Sequence, residues 1–277
     1  MTNKPMKYNE SRKQLAQNFL IHENVVKRLV GHAKLTHDDH VLEIGPGNGI
    51  ITQALLREAG RVTAVELDKS LLPNLRKKFA DSQNLELVSG DILKYKLPAE
   101  PYKIFANIPF NITAEIMQKL LWSKYSPDQA WFIMQLETAE KFVGEPLSTE
   151  SSILFQPWFY FQIPETINRF EFRPVPSVNA ALLHMTKRPK PRLNPKHKPL
   201  YHKFVAFGFR SWKKSLKVGY RNIFTYPQWK RLAKENRFSV DAIPSDLNLT
   251  QWLALFNYFL SGVSEEKKRP ITSYTPQ

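Results

Sequence analysis

Val41-Leu42-Glu43-Ile44-Gly45-Pro46-Gly47-Asn48-Gly49 reads as a short buried strand that enters a glycine-rich loop, with a helix from Ile50 to Ala59 behind it. Glycines in such a loop let a ligand approach the backbone closely, and the helix that follows offers unpaired N–H donors. The spacing is G-x-G-x-G, which differs from the G-x-G-x-x-G of dinucleotide binders. No Lys-Ser/Thr pair follows, which excludes a P-loop. Taken alone, the loop points to a nucleoside-type ligand.

Working outward, the next strand, Arg61-Val62-Thr63-Ala64-Val65, ends in Glu66, placed to accept hydrogen bonds from both hydroxyls of a ribose. A third strand, Leu85 to Val88, runs into Ser89-Gly90-Asp91, where a carboxylate can accept from an adenine amine. Each acid by itself reads equally as a cap or turn residue. A fourth strand, Ile104-Phe105-Ala106, ends in Asn107-Ile108-Pro109-Phe110. Pro109 has no N–H and fixes its own φ, and it drives Ile108 into extended geometry. An amide and a ring held at a strand end suit a base that is gripped by its edge and stacked on its face. The plainer alternative is a strand-terminating turn with a buried Phe110. Four successive strand ends with this chemistry predict an alternating α/β sheet with its ligand site along the carboxyl edge.

The rest of the chain divides by composition. Residues 1–16 form a basic N-terminal arm that includes Arg12 and Lys13. Gln17-Asn18-Phe19-Leu20 precedes a helix from Glu23 to Leu35, either as a hydrophobic staple or as part of the site. Further helices are expected over Thr113–Trp122 and Glu137–Val143, and strands over Ala130–Leu136, Ile153–Phe161 and Ala180–Met185. The catalytic domain is thus expected over residues 17–186. Phe172-Arg173-Pro174-Val175-Pro176-Ser177-Val178 is a stiff loop that either presents Phe172 to a substrate or buries it in the core. A Pro/Lys-rich linker is expected over 187–200, a helical domain over 201–262 and a disordered tail over 263–277. Arg210, Lys213, Lys214, Lys217 and Arg221, interleaved with Trp212 and Tyr220, are expected to share a phosphate-binding helix face.

Composition narrows the function classes. The 277 residues carry a net charge of +15. From Phe172 to Lys234 there are 16 Lys and Arg and no acid, which leaves 24 basic and 25 acidic residues elsewhere. A basic excess confined to one segment is the footprint of a polyanion, because a merely solvated face interleaves both signs. No cysteine is present, which rules out disulfides and thiolate metal sites and agrees with a cytoplasmic enzyme. No apolar run reaches membrane-spanning length. The seven histidines are scattered, without a metal cluster or a Ser/His/Asp set.

With these residues assembled, the chain resembles the Erm-type rRNA adenine N6-methyltransferases, which share a superfamily with the KsgA-type small-subunit adenine dimethyltransferases. The matches are Gln17–Leu20, Glu43–Gly49, Glu66, Gly90-Asp91, Asn107–Phe110 and the Phe-x-Pro-x-Pro-x-Val run from Phe172 to Val178, in family order. The resemblance implies a Rossmann-like, seven-stranded methyltransferase sheet with an antiparallel last strand and S-adenosyl-L-methionine as donor, beside the small all-α C-terminal domain that helical spacing predicts. It implies that Asn18 and Leu20 close over the donor, and that Gly45 and Gly47 line it. Glu66 holds its ribose, Asp91 its adenine amine, and Asn107 meets both the donor and the target N6 amine. Phe110 stacks on the flipped base and Phe172 covers its other face. Many relatives have Tyr where Phe110 stands, so a hydroxyl role is excluded here. The C-terminal stretches Tyr220–Phe224 and Gln251–Phe256 look more like Erm proteins, which implies 23S rRNA as partner for a monomer without membrane or metal. The alternatives are a 16S rRNA dimethylase of small-subunit assembly and a non-enzymatic nucleic-acid-binding factor on the same fold.

Overall fold

A computed structural model describes residues 18–210 and 214–276. From the N-terminus the elements are β1 (Phe19–Leu20), α1 (Glu23–Gly31), β2 (His40–Ile44), α2 (Ile50–Glu58), β3 (Arg61–Glu66), α3 (Leu72–Lys78), β4 (Leu85–Ser89) and β5 (Lys103–Asn107). Then follow α4 (Thr113–Trp122), β6 (Gln129–Gln135), α5 (Leu136–Val143), α6 (Glu150–Phe155), β7 (Phe159–Ile167), β8 (Phe172–Arg173) and β9 (Ala180–Lys187). The chain continues with α7 (Lys198–Phe209), α8 (Leu216–Gly219), α9 (Tyr226–Glu235), α10 (Leu249–Gly262) and α11 (Glu265–Thr272).

Seven strands form one sheet in the order β4-β3-β2-β5-β6-β9-β7. The pairs β4–β3, β3–β2, β2–β5 and β5–β6 are parallel, and β9 runs antiparallel to β6. This is the Rossmann-like, seven-stranded sheet that the resemblance implied. Val41, Leu42 and Ile44 of β2 and Ala130 to Met134 of β6 are buried, as expected of central strands covered on both faces. From β2 the chain works outward to β4 and then returns to β5 on the other side of β2. The β2/β5 boundary is therefore a topological switch point, the place where open α/β sheets bind ligands.

Two compact units divide the chain: one contains the chain up to Ala139 plus Gln162–Lys187, the other Glu140–Phe161 plus Arg188–Gln277. This departs from the expected catalytic span of 17–186, because residues 140–161 belong with the C-terminal helices. The reason lies in their bonds. The Tyr201 hydroxyl donates to the carbonyl of Ile153 at 3.0 Å, and the Arg188 amide to that of Trp158 at 2.8 Å. The expected strand over Ile153–Phe161 is likewise split. Thr149 caps a helix through the Ser152 amide, so Ile153 to Phe155 are helical and the strand starts at Phe159.

The Pro/Lys-rich stretch is not a free linker either: Arg188 Nε donates to the Gln156 carbonyl at 2.7 Å and Trp158 Nε1 to that of Leu193 at 3.1 Å. Nor is the tail disordered, since Glu265–Thr272 is helical with Ile271 fully buried. The second unit has an aromatic core of Tyr201, Phe204, Tyr220, Trp229, Trp252, Phe256 and Phe259. The polar atoms of this core are satisfied; Tyr220 donates to the Phe204 carbonyl at 2.7 Å and Trp229 Nε1 to that of Val240 at 2.9 Å.

A second, two-stranded sheet pairs β1 with β8, setting Leu20 opposite Phe172 and Phe19 opposite Arg173. Here the expectation that Phe172 covers the target base fails. Its side chain is wholly buried, in one apolar cluster with Leu20, Val25, Leu29, Ile133 and Leu182. Leu20 is buried in the same cluster, so its side chain faces the core and not a donor. Both residues fasten β1 to the sheet. Phe172→Ala is therefore expected to cost about 3–5 kcal/mol of stability, read by urea denaturation, as for other fully buried Phe truncations. A loss of activity with unchanged stability would restore the base-covering role.

Candidate functional site

The register of the central strands assembles the site. Ile44 lies opposite Ala106, so the chain emerges side by side as Gly45 from β2 and Asn107 from β5. On the other side Ile44 faces Val65, and the Gly45 amide donates to the Val65 carbonyl at 2.9 Å. Glu66 pairs with Ser89, and the Gly90 amide donates to the Glu66 carbonyl at 2.8 Å. Along the carboxyl edge the order is thus Asp91, Glu66, the glycine loop, Asn107. Residues far apart in the sequence come into one row.

The glycines of the loop have different tasks. All three adopt positive φ: +67° at Gly45, +58° at Gly47 and +75° at Gly49. A Cβ built on Gly45 meets nothing within 4 Å, so its backbone is open to a ligand. A Cβ on Gly47 would stand 2.5 Å from the ring of Phe19, and one on Gly49 would strike Phe79 at 2.6 Å. Gly47 thus leaves room for the Phe19 ring and contributes its amide, which donates to Glu66 Oε2 at 3.1 Å. The other oxygen, Oε1, accepts from the Asp68 amide at 2.8 Å. These two amides orient the carboxylate, while burial pushes its pKa up. Asp91 is half-buried. Its Oδ1 accepts from the Leu93 amide at 2.9 Å, and Lys119 on α4 pins the same loop by donating to the Leu93 and Tyr95 carbonyls.

Asn107 is the most telling member. Its Nδ2 donates to the backbone carbonyl of Asn18 at 2.7 Å. A carbonyl only accepts, so the amide must turn its nitrogen to Asn18, which leaves Oδ1 as an acceptor facing away. Beyond it the Ile108 amide is tied to the Ile133 carbonyl at 2.9 Å, and Phe110 starts a single 3₁₀ turn, half-buried. Asn18, Phe19, Gly45, Gly47 and Asn107 to Phe110 line a cavity of about 40 Å³. That is room for a reacting methyl group or a water, and the Phe19 ring fills the adjoining space at Gly47. Larger hollows of about 310 and 370 Å³ contain none of these residues.

Residues 8–260 match the ribosomal RNA adenine dimethylase family. The chain belongs to that family. It is 34% identical over 262 residues to "Ribosomal RNA small subunit methyltransferase A" of Acaryochloris marina, covering 88% of this chain and 95% of the relative. It is 29% identical over 265 residues to an "rRNA adenine N-6-methyltransferase" of Bacillus licheniformis, covering 95% and 92%. Among solved structures it resembles the 23S rRNA methyltransferase ErmE, with TM-score 0.79 and 28% identity over 88% of this chain and 100% of that one. A dimethyladenosine transferase of Plasmodium falciparum shares the fold, with TM-score 0.74 at 20% identity over 88% and 98%.

The chain is thus an rRNA adenine methyltransferase that uses S-adenosyl-L-methionine, and the residues of the sheet edge fit that donor. The Gly45 backbone is open, the Glu66 carboxylate is set by amides to accept from a diol, and Asp91 keeps an oxygen beyond its turn bond.

One further buried carboxyl group adjoins this edge. Glu43 lies one residue before the end of β2, 1% exposed; Thr52 is its polar neighbour, but neither carboxylate oxygen makes a hydrogen bond of ordinary geometry among the described residues. Burial pushes its pKa up to about 8, with Thr52 opposing and nearby Glu66 adding to the rise. The signal was available in the sequence, as an acid flanked on both sides by the apolar residues of a buried strand.

The cationic residues are less uniform than the sequence suggested. Arg12, Lys13 and Lys213, with Trp212, lie outside the described residues. Arg210, Lys214 and Arg221 are exposed, but they do not share a helix face, because α7 ends at Phe209 and α8 starts only at Leu216. Arg210 lies over the Phe207 ring at 3.4 Å. Lys217 is ion-paired with Asp241 at 2.6 Å, and Tyr220 is a core residue, not a stacking one.

Two expectations follow. In the folded protein Glu43 keeps its proton to about pH 8, whereas unfolded it loses it near 4.5, so its contribution to stability is lost as pH rises through that window. Glu43→Gln should remove this component, so that the drop in stability between pH 5 and pH 8 is smaller by on the order of 3 kcal/mol. Equal drops in both proteins would contradict the assignment. Neutralising Lys214 or Arg221 should flatten the salt dependence of RNA binding by about 0.7–0.9 in log–log slope for each phosphate left without its cation. Neutralising Lys217 should flatten it less, because Asp241 already counters that charge. Equal slopes for all three would remove this distinction.

Proposed function

We propose that the chain methylates N6 of an adenine in 23S rRNA, and that this modification gives resistance to macrolides, lincosamides and streptogramin B. The observation that carries the chemistry is the orientation of Asn107, whose nitrogen is held by the Asn18 carbonyl so that Oδ1 is left to accept. The 23S target is supported by the greater likeness to ErmE, at TM-score 0.79 and 28% identity, than to the dimethyladenosine transferase, at 0.74 and 20%.

In this reading S-adenosyl-L-methionine supplies an electrophilic methyl group on a sulfonium. Glu66 accepts from the ribose hydroxyls, Asp91 from the adenine amine, and the backbone at Gly45 borders the methionine side. Asn107 Oδ1 accepts an N6–H of the target base. That bond draws the N6 lone pair out of conjugation with the ring and fixes its direction, and such positioning is worth several orders of magnitude in rate. Phe110 stacks on the extruded base, whose unstacking costs least in a loop or unpaired region. No base is needed before attack, because the methylated nitrogen is acidic enough to lose its proton afterwards. Asn18 acts through its carbonyl, and Leu20 and Phe172 act by holding β1.

A second reading, a 16S rRNA adenine dimethylase of small-subunit assembly, is favoured by the 34% identity to the Acaryochloris marina protein. It uses the same residues. Methyl transfer from labelled donor to protein-free 23S rRNA and, in parallel, to small subunits lacking their own dimethyladenines separates the two. Label at one adenine of naked 23S rRNA is the expected result; label only on the small subunit overturns it. Asn107→Ala is expected to lower transfer at least ~100-fold with RNA affinity within about twofold of wild type. Parallel loss of both would contradict its role.

A further inference from the structure

Phe172, the aromatic residue that the sequence offered to the substrate, is buried, yet two positions before it stands a ring that is not. Phe170 is 63% exposed, the most exposed of the large apolar side chains among the described residues. A single exposed Phe is ordinary. This one is held. Its amide donates to Asn168 Oδ1 at 3.1 Å, and the Arg169 amide donates to Asn179 Oδ1 at 3.1 Å. The Arg169 guanidinium lies over the Phe170 ring, 5.0 Å from its centroid, and donates from Nη1 to the Ser177 carbonyl at 3.2 Å. The backbone is clamped, one flank of the ring carries a cation, and the rest faces solvent. Ile21, Val175 and Val178 are exposed as well, and so is Arg173.

The position ties this ring to the reaction. The Ile21 amide donates to the Glu171 carbonyl at 3.1 Å, Leu20 pairs with Phe172, and the carbonyl of Asn18 receives Asn107 Nδ2. The Phe170 turn and the catalytic amide are thus joined through β1 by hydrogen bonds. An enzyme that extrudes one base leaves that base's neighbours without a stacking partner. A rigid aromatic ring beside a guanidinium is what unpaired bases stack on, and it costs little order to present.

We infer that Phe170, with Arg169 stacked on its ring, is the platform for the nucleotide next to the target adenine, and that Arg173 meets the adjoining phosphate. The inference rests on the reading that single-stranded rRNA is the substrate. It adds a residue that selects which strand conformation enters the site, separate from those that hold the donor or the target amine.

The test uses the full-length protein and an RNA hairpin with an unpaired target adenine, 2-aminopurine being placed on its 5′ or its 3′ side. Binding of wild-type protein is expected to quench one of these two probes by stacking. Phe170→Ala should lose most of that quenching and raise the KM for RNA about 10- to 100-fold. Its kcat at saturating RNA, donor affinity and unfolding midpoint should stay unchanged, and Phe170→Trp should restore both quenching and KM. Quenching of neither probe by wild type, or equal quenching and KM in Phe170→Ala, overturns the inference while leaving the methyltransferase reading intact. Were wild-type protein to methylate neither 23S nor small-subunit rRNA, the underlying reading would fall and take the inference with it.

Discussion

The parallel pairing of β2 with β5 is the constraint on which the site depends. With Ile44 opposite Ala106, the glycine loop and Asn107 leave the sheet at the same height and on neighbouring strands. Both strands are buried on both faces, so a slip of one residue would exchange the side chains packed on each face, which a close-packed interior resists. The register is thus set by the apolar core, and the chemistry at the strand ends inherits its precision from it. Because the chain changes direction at this boundary, no crossover passes over the crevice.

A second layer of positioning comes from backbone groups. Glu66 is oriented by the amides of Gly47 and Asp68, Asp91 by that of Leu93, and Asn107 by the carbonyl of Asn18. Side chains set by the main chain of rigid elements need no rearrangement before they act. The negative charge at the sheet edge suits a cationic donor. The exposed cations Arg210, Lys214 and Arg221 belong to the other unit of the chain.

Much of this is legible in the sequence. Glu66, Asp91 and Asn107 stood out because each follows a run of β-branched and apolar residues and is itself unsuited to continue a strand. The sheet was legible from such runs alternating with helical spacing. Other features were hidden by equal local signals. Phe170 and Phe172 are both rings in one turn, and only the pairing of Phe172 with Leu20 buries one and leaves the other exposed. Residues 187–200 had the composition of a free linker, but their partners are Gln156 to Trp158, well upstream in the chain. Arg210 to Arg221 had helical spacing, yet Ser215, extended at ψ 144°, starts a new helix there.

The sequence by itself determined the sheet and its edge chemistry, because strand patterns, glycine loops and terminal acids are local and each fixes its own geometry; the class of reaction came from the resemblance that these residues carry together. Tertiary structure decided what depends on partners remote in the chain: the direction in which the Asn107 amide points, the burial of Phe172 and Leu20, the pairing of Lys217 with Asp241, and the membership of residues 140–161 in the C-terminal unit. Each is a choice between two states that are alike in local energy, and it is made by a hydrogen bond, an ion pair or a packed surface that forms only once distant segments meet.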